Sequence, residues 1–242
     1  MSQQSCSILD DIDSCKEIPV VSSLHPAFQN YVATFNLLGS TLNLIDHLLI
    51  VMVTIAMSLV CFKLKLEKTA FHAFVCTFGF VLLLAEGMMV RYNGNILLRS
   101  LHPDTKTTLH YVLQLTGGLL GILGTLQKVY GKKKHFKSLH GKLGLAACLF
   151  CTVNFLAGTL ALYSTDYRSY ISPLVNKIIH NGLGLITFLI VMLAQLTGYN
   201  TGFFRRNFVN IKLYKFVTFV ILVLSAIGPV RIFFKNYRKL YA

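Results

Sequence analysis

Phe136-Lys137-Ser138-Leu139-His140-Gly141-Lys142-Leu143-Gly144-Leu145 leads into a run, Leu143 to Thr165, that contains no Asp, Glu, Lys or Arg. A helix rises about 1.5 Å per residue and a bilayer's hydrocarbon core is about 30 Å thick, so roughly 20 such residues cross it. The run reads as a membrane span and fixes the class of the chain. Ile178 to Phe204 is a second uncharged run. Working outward from these two gives six spans, at about 37–62, 69–90, 107–128, 140–163, 178–199 and 211–234. The first is the weakest, because Asp46-His47 interrupts it, and Pro229 marks the place for a kink late in the sixth.

The composition agrees. Of 242 residues, 54% are hydrophobic and 13% charged, whereas a soluble domain carries about a quarter charged residues. Disordered and low-complexity chains lack this apolar content. The net charge of +14 arises from 23 Lys and Arg against 9 Asp and Glu. The basic residues fall in short clusters between apolar runs (Lys63, Lys65, Lys68; Lys128, Lys132–Lys134; Arg205, Arg206; Arg238, Lys239). That is the layout of loops meeting lipid headgroups and anionic solutes, not a face for nucleic acid.

Residues 1–36 read as a polar, acid-leaning tail without a cleavable signal peptide, 37–236 as one six-helix domain, and 237–242 as a short basic tail. Connections are short, so successive helices alternate in direction. Cys61, Cys76, Cys148 and Cys151 lie in or at the end of apolar spans and read as small core residues; Cys6 and Cys15 lie in the tail.

Four of the eight histidines, His72, His110, His140 and His180, each fall in the first turn or so of spans two, three, four and five. Spans two and four enter from one side, three and five from the other. His72 and His140 therefore share one face of the membrane, and His110 and His180 the opposite face. Two facing imidazoles at similar depth suit bis-histidine ligation of a haem. Ionisable groups inside a membrane are costly unless satisfied, so four at matched depths call for a reason. Glycines follow the histidines: Gly117, Gly118, Gly121 and Gly124; Gly141 and Gly144; Gly182 and Gly184. They admit a flat porphyrin or a neighbouring helix, and beside the histidines the porphyrin is the favoured reading.

The stretch Phe136–Leu145 resembles the Phe-x-Ser-Leu-His-Ser-x-Leu-Gly-Leu signature of the cytochrome b561 family. Lys106-Thr107-Thr108-Leu109-His110 is similar to that family's Lys-x-x-x-His entry to the third helix, and Glu86 resembles its Glu near the end of the second. The resemblance covers about residues 69–200 and is closest to the small transmembrane-reductase branch. It implies an all-α integral membrane protein, a six-helix bundle around a four-helix core holding two b-type haems. His72 and His140 would ligate one haem, and His110 and His180 the cytosolic one. One electron at a time would pass from cytosolic ascorbate to monodehydroascorbate or a ferric chelate, with both termini cytosolic, in an endomembrane or the plasma membrane. A homodimer is an open option. The chain departs from the family pattern at Ala73, Gly141 and Lys142, which bears on substrate preference and not on the ligands.

Anionic substrates need positive charge near each haem. The candidates are Lys106, Arg91 and Lys177 on the cytosolic side, and Lys134 and His135 on the other. His47 beside Asp46 reads as a polar pair inside the bundle or as a sign that span one is shifted. Glu86 reads as a proton relay or the cap of a basic neighbour. In that orientation ten Lys and Arg lie on the cytosolic side against 23 − 10 = 13 opposite, a weak bias against the positive-inside rule. The excess sits mainly in one lysine-rich loop, and the family orientation is kept. The alternative is a haem-free transporter of a small anionic metabolite or protons; a scaffold is a third reading. A transporter would place polar groups at the midplane, and here they are expected near the faces.

Overall fold

The computed structural model describes residues 26–92, 94–130 and 135–241. Segment 1–25, Lys132–Lys134 and the two tail cysteines lie outside the described residues. Six helices are long and apolar enough to cross a membrane. They are α1 (Pro26–Lys63), α2 (Thr69–Met89), α3 (Pro103–Tyr130), α4 (Leu139–Leu162), α5 (Pro173–Gly198) and α6 (Ile211–Arg238). A short helix, Gly202–Asn207, joins the last two. The protein is an all-α, multi-pass integral membrane protein.

The ends of these helices follow from local chemistry. Pro26, Pro103 and Pro173 each open a helix, where a missing N–H costs nothing and the fixed φ suits the first turn. At α4 the Ser138 side chain accepts a hydrogen bond from the Gly141 N–H at 3.2 Å, which makes Ser138 the N-cap and puts His140 in the first turn. Two boundaries differ from the sequence reading. Helix α1 starts at Pro26, inside the expected tail, because a helix-opening proline precedes the apolar run. Helix α6 continues through Pro229 to Arg238.

Within α2, Thr77–Leu83 winds as a wider π-helix. Gly79 lies in it and touches α3 backbone to backbone: a Cβ there would stand 2.5 Å from the Gly117 carbonyl oxygen. The return contact is equally tight, at 2.7 Å from a Gly117 Cβ to the Gly79 oxygen. A π-turn at a helix crossing of this kind carries no signature in residue type.

Two buried clusters hold the bundle. One gathers Ile50, Met57, Val81, Phe188, Met192, Tyr199 and Ile221 from α1, α2, α5 and α6. The other lies among the four central helices, with Cys76, Phe80, Leu84, Ala147, Cys151 and Val191 packed against Ile122 and Phe155. The outer surface is apolar: Leu48, Leu59, Leu123, Leu156 and Phe216 are all exposed, as lipid-facing side chains are in a membrane span.

One expectation about polarity is corrected. Asp46 is fully buried and bonded to Ser225, whose hydroxyl donates to Asp46 Oδ2 at 2.7 Å. Ser225 lies 225 − 211 = 14 residues from one end of α6 and 238 − 225 = 13 from the other. The polar groups are therefore not confined to the helix ends. Asp46-His47 interrupts the apolar run because it faces protein, not lipid.

Candidate functional site

The four histidines meet in two pairs, one at each end of the central four helices. The rings of His72 (α2) and His140 (α4) have centroids 6.0 Å apart, with planes at 77°. Those of His110 (α3) and His180 (α5) lie 6.2 Å apart, at 85°. Among the described residues no three His, Cys, Asp or Glu side chains are grouped so as to hold a metal ion between them. The histidines come together two at a time.

The backbone orients the rings. His72 Nδ1 lies 2.8 Å from the carbonyl oxygen of Gly124, His110 Nδ1 2.7 Å from that of Gly87, and His140 Nδ1 2.9 Å from that of Ala194. A carbonyl only accepts, so in each pair Nδ1 carries the proton and Nε2 keeps its lone pair. A histidine that binds metal is held in the same way, its second nitrogen donating to a carbonyl. His180 Nδ1 is buried without a hydrogen-bond partner; its ring rests on Gly158, where a Cβ would come within 3.1 Å.

The arrangement repeats. His72 bonds across to α3 at Gly124, and His110 bonds back to α2 at Gly87. The side chain four residues after each histidine, Cys76 or Gln114, packs on that same glycine; a Cβ there would meet them at 2.8 and 2.9 Å. On α4 and α5, the His140 ring rests on Gly198 and the His180 ring on Gly158. Gly198 lies four residues beyond Ala194, whose carbonyl faces His140. The two ends of the core are thus built alike, in opposite directions. From His110 to the carbonyl that holds His72 is 124 − 110 = 14 residues, and from His180 to the carbonyl that holds His140 is 194 − 180 = 14. At 1.5 Å per residue the two pairs are about 21 Å apart.

This geometry fits a haem at each pair. Two imidazoles that share one metal through Nε2 bonds of about 2 Å, with each ring centre about 1.1 Å further back, stand about 6 Å apart. That separation is the one both pairs show. The glycines under the rings remove side chains that would otherwise fill the space.

A cleft of about 330 Å³ opens beside His72 and His140, lined among others by Thr69, Lys128, His135, Gly144, Gly198 and Arg206. Of the residues expected to meet substrate, His135 is exposed at its rim. Lys134 lies outside the described residues. Arg91, Lys106 and Lys177 all lie toward the other pair and are not brought into one pocket. Arg91 donates to the Thr107 hydroxyl, Lys106 Nζ donates to the Arg99 carbonyl at 3.2 Å, and Lys177 is exposed three residues before His180. Lys128 and Arg206 were missed as cleft residues, since a short basic cluster reads from sequence as headgroup-facing. Lys128 Nζ donates to the Thr69 hydroxyl at 2.6 Å, which holds it at the cleft wall. The partner of His47 was misread: it is Glu86, whose Oε2 lies 2.7 Å from His47 Nδ1, while Asp46 turns to Ser225.

Comparison with known proteins adds an independent line. The family model described as eukaryotic cytochrome b561 matches residues 71–205, which is 205 − 70 = 135 of the 242 residues. The transmembrane reductase CYB561D2 of Bos taurus is 30% identical over 134 residues, covering 53% of this chain and 60% of the relative. The proteins of the same name from Mus musculus and Homo sapiens are each 29% identical over 134 residues with the same coverage. The match therefore spans 60% of the length of these relatives. No solved structure matches the chain.

Proposed function

The chain belongs to the eukaryotic cytochrome b561 family, in its small transmembrane-reductase branch, and from that premise we propose that it carries single electrons across a membrane between two b-type haems. His72 and His140 hold one, His110 and His180 the other. The observation that supports this most directly is the pair of imidazole separations, 6.0 and 6.2 Å, with Nδ1 of three of the four rings bonded to a backbone carbonyl. When bound, haem iron supplies a one-electron couple that no side chain here offers.

The protein's own part is placement and exclusion. Carbonyls of Gly87, Gly124 and Ala194 fix the ring orientations, so no reorganisation is needed as charge arrives. Cys76, Phe80, Leu84, Val191 and Phe155 fill the space between the pairs with apolar groups and keep water out of it. The donor we assign is ascorbate at the cytosolic His110–His180 end, where Arg91, Lys106 and Lys177 attract the monoanion. The acceptor we assign is monodehydroascorbate or a ferric chelate in the cleft beside His72 and His140, met by Lys128, His135 and Arg206. Anions are drawn into a cleft lined with one sign of charge.

The test is vectorial. Proteoliposomes loaded with a ferric chelate and given external ascorbate should accumulate ferrous iron inside, and vesicles bearing the His72→Ala variant should not. Equal rates in the two would refute the assignment.

A further inference from the structure

Asp46, His47 and Glu86 take no part in the account so far, yet they form a buried ionisable cluster among the spans. Asp46 is 0% exposed. One of its oxygens is held by Ser225, and the other, Oδ1, has no hydrogen-bond partner. The side chains of His47 and Glu86, 2.7 Å apart, are 7% and 21% exposed. Exposure falls from Glu86 through His47 to Asp46, so Glu86 is the outermost member of the cluster and Asp46 the closed end. The His47–Glu86 contact is close but not aligned as a hydrogen bond, so no single proton position is locked. Glu86 immediately precedes Gly87, whose carbonyl accepts from His110. The cluster is therefore one peptide unit from the group that orients a histidine of the cytosolic pair.

Ionised groups inside a membrane protein are expensive without compensation. With both carboxyls ionised and His47 protonated the three would carry −1, and one further proton would bring the cluster to zero. The groups that act on it from neighbouring elements are Ser225 of α6 and Asn95 of the α2–α3 connection. Arg91 is committed to Thr107, and Arg231 Nη1 donates to Tyr92 Oη at 3.0 Å. Asn95 is buried beside it, with its amide donating to the Met89 carbonyl at 3.2 Å.

We propose that Asp46, His47 and Glu86 accept one proton for each electron that arrives at the His110–His180 site, with Glu86 as the entry point. This rests on the di-haem reading above. Ascorbate as its monoanion releases one electron and one proton and becomes the radical anion. The electron takes iron from ferric to ferrous, and the proton takes the cluster from −1 to neutral. When the electron moves to the second site, the proton returns to water through Glu86. Added negative charge at one site favours protonation of the other, and the coupling is reciprocal. The three side chains act as positioning groups for charge, without touching the haem.

The test is the midpoint potential of the detergent-solubilised holoprotein as a function of pH. One proton per electron makes one haem's potential fall by about 59 mV per pH unit, a tenfold change in equilibrium. In the Asp46→Asn, Glu86→Gln double variant that dependence should vanish while haem content stays at the wild-type value. Redox difference infrared spectra give a second readout that needs no variant. A carboxylic-acid carbonyl band should appear on reduction of the wild type, shift in deuterium oxide, and be absent from Glu86→Gln alone. A wild-type potential that ignores pH, or a double variant that keeps the slope, overturns the proposal. A wild type without haem bands would instead overturn the reading on which it rests.

Discussion

Replacing Gly79 by alanine tests whether the crossing of α2 and α3 sets the histidine geometry. The new Cβ would lie 2.5 Å from the Gly117 oxygen and 3.0 Å from the Gly121 nitrogen, both backbone atoms that no rotamer change can move. Ordinary contact begins at 3.4 Å, so the helices must separate by about 3.4 − 2.5 = 0.9 Å. A shift of that size would stretch the His72–Gly124 contact from 2.8 to about 3.7 Å and the His110–Gly87 contact from 2.7 to about 3.6 Å, beyond a hydrogen bond. Overpacking costs about 1–3 kcal/mol, and the two lost bonds about 0.5–1.5 kcal/mol each. Alanine's better helix propensity returns about 1 kcal/mol. The net loss is about 1–5 kcal/mol, centred near 3 kcal/mol, or a melting temperature lower by roughly 6–12 °C at that centre. Gly39→Ala is the control, because nothing lies within 4 Å of a Cβ there. Thermal unfolding in detergent reads the difference. A Gly79→Ala protein that melts with the Gly39→Ala control would show that the helices are not locked at this crossing.

Three further outcomes follow from other contacts. Gly198→Val adds side-chain atoms where a Cβ already comes within 3.2 Å of the His140 ring; it should lose the haem of the His72–His140 pair alone, whereas Gly144→Ala, with 3.8 Å to its nearest neighbour, should keep both. Ser225→Ala removes the hydrogen bond that holds Asp46 Oδ2 and should destabilise the protein by about 1–3 kcal/mol, seen as a lower melting temperature; an unchanged one would mean that the pair contributes nothing. Arg206→Ala, at the exposed cleft wall, should raise the half-saturating concentration of an anionic acceptor severalfold at low salt, with the difference shrinking as salt rises, and leave haem content as it was.

The histidine positions could be read from sequence because helix direction alternates and polar residues are scarce in apolar spans, so depth follows from counting. The partners of those histidines could not. Gly87, Gly124 and Ala194 contribute carbonyl oxygens, which every residue has, and nothing in the residue type marks the one that accepts. The glycines after His110 stand out in the sequence, and beside the histidines they read as room for a porphyrin; the structure instead packs three of them on neighbouring helices, Gly117 against Gly79 of α2, Gly121 against Phe80 and Gly118 against Phe155. Glu86 was visible as an intramembrane acid, but its partner lies 86 − 47 = 39 residues earlier on another helix. Asp46 could not be assigned to lipid or protein without knowing that α6 brings Ser225 to it. The first membrane span, Leu37–Lys63, falls where the apolar run puts it, whereas the helix that carries it opens earlier, at Pro26.

Two haems on two histidine pairs is the central claim. It is tested most directly by the visible spectrum and haem-to-protein ratio of the purified, detergent-solubilised chain, before and after ascorbate, for the wild type and for His72→Ala and His180→Ala. The account predicts two b-type haems per chain, reducible by ascorbate, and one in each variant. Absence of haem after expression with ample haem supply, or two haems retained in both variants, would contradict it.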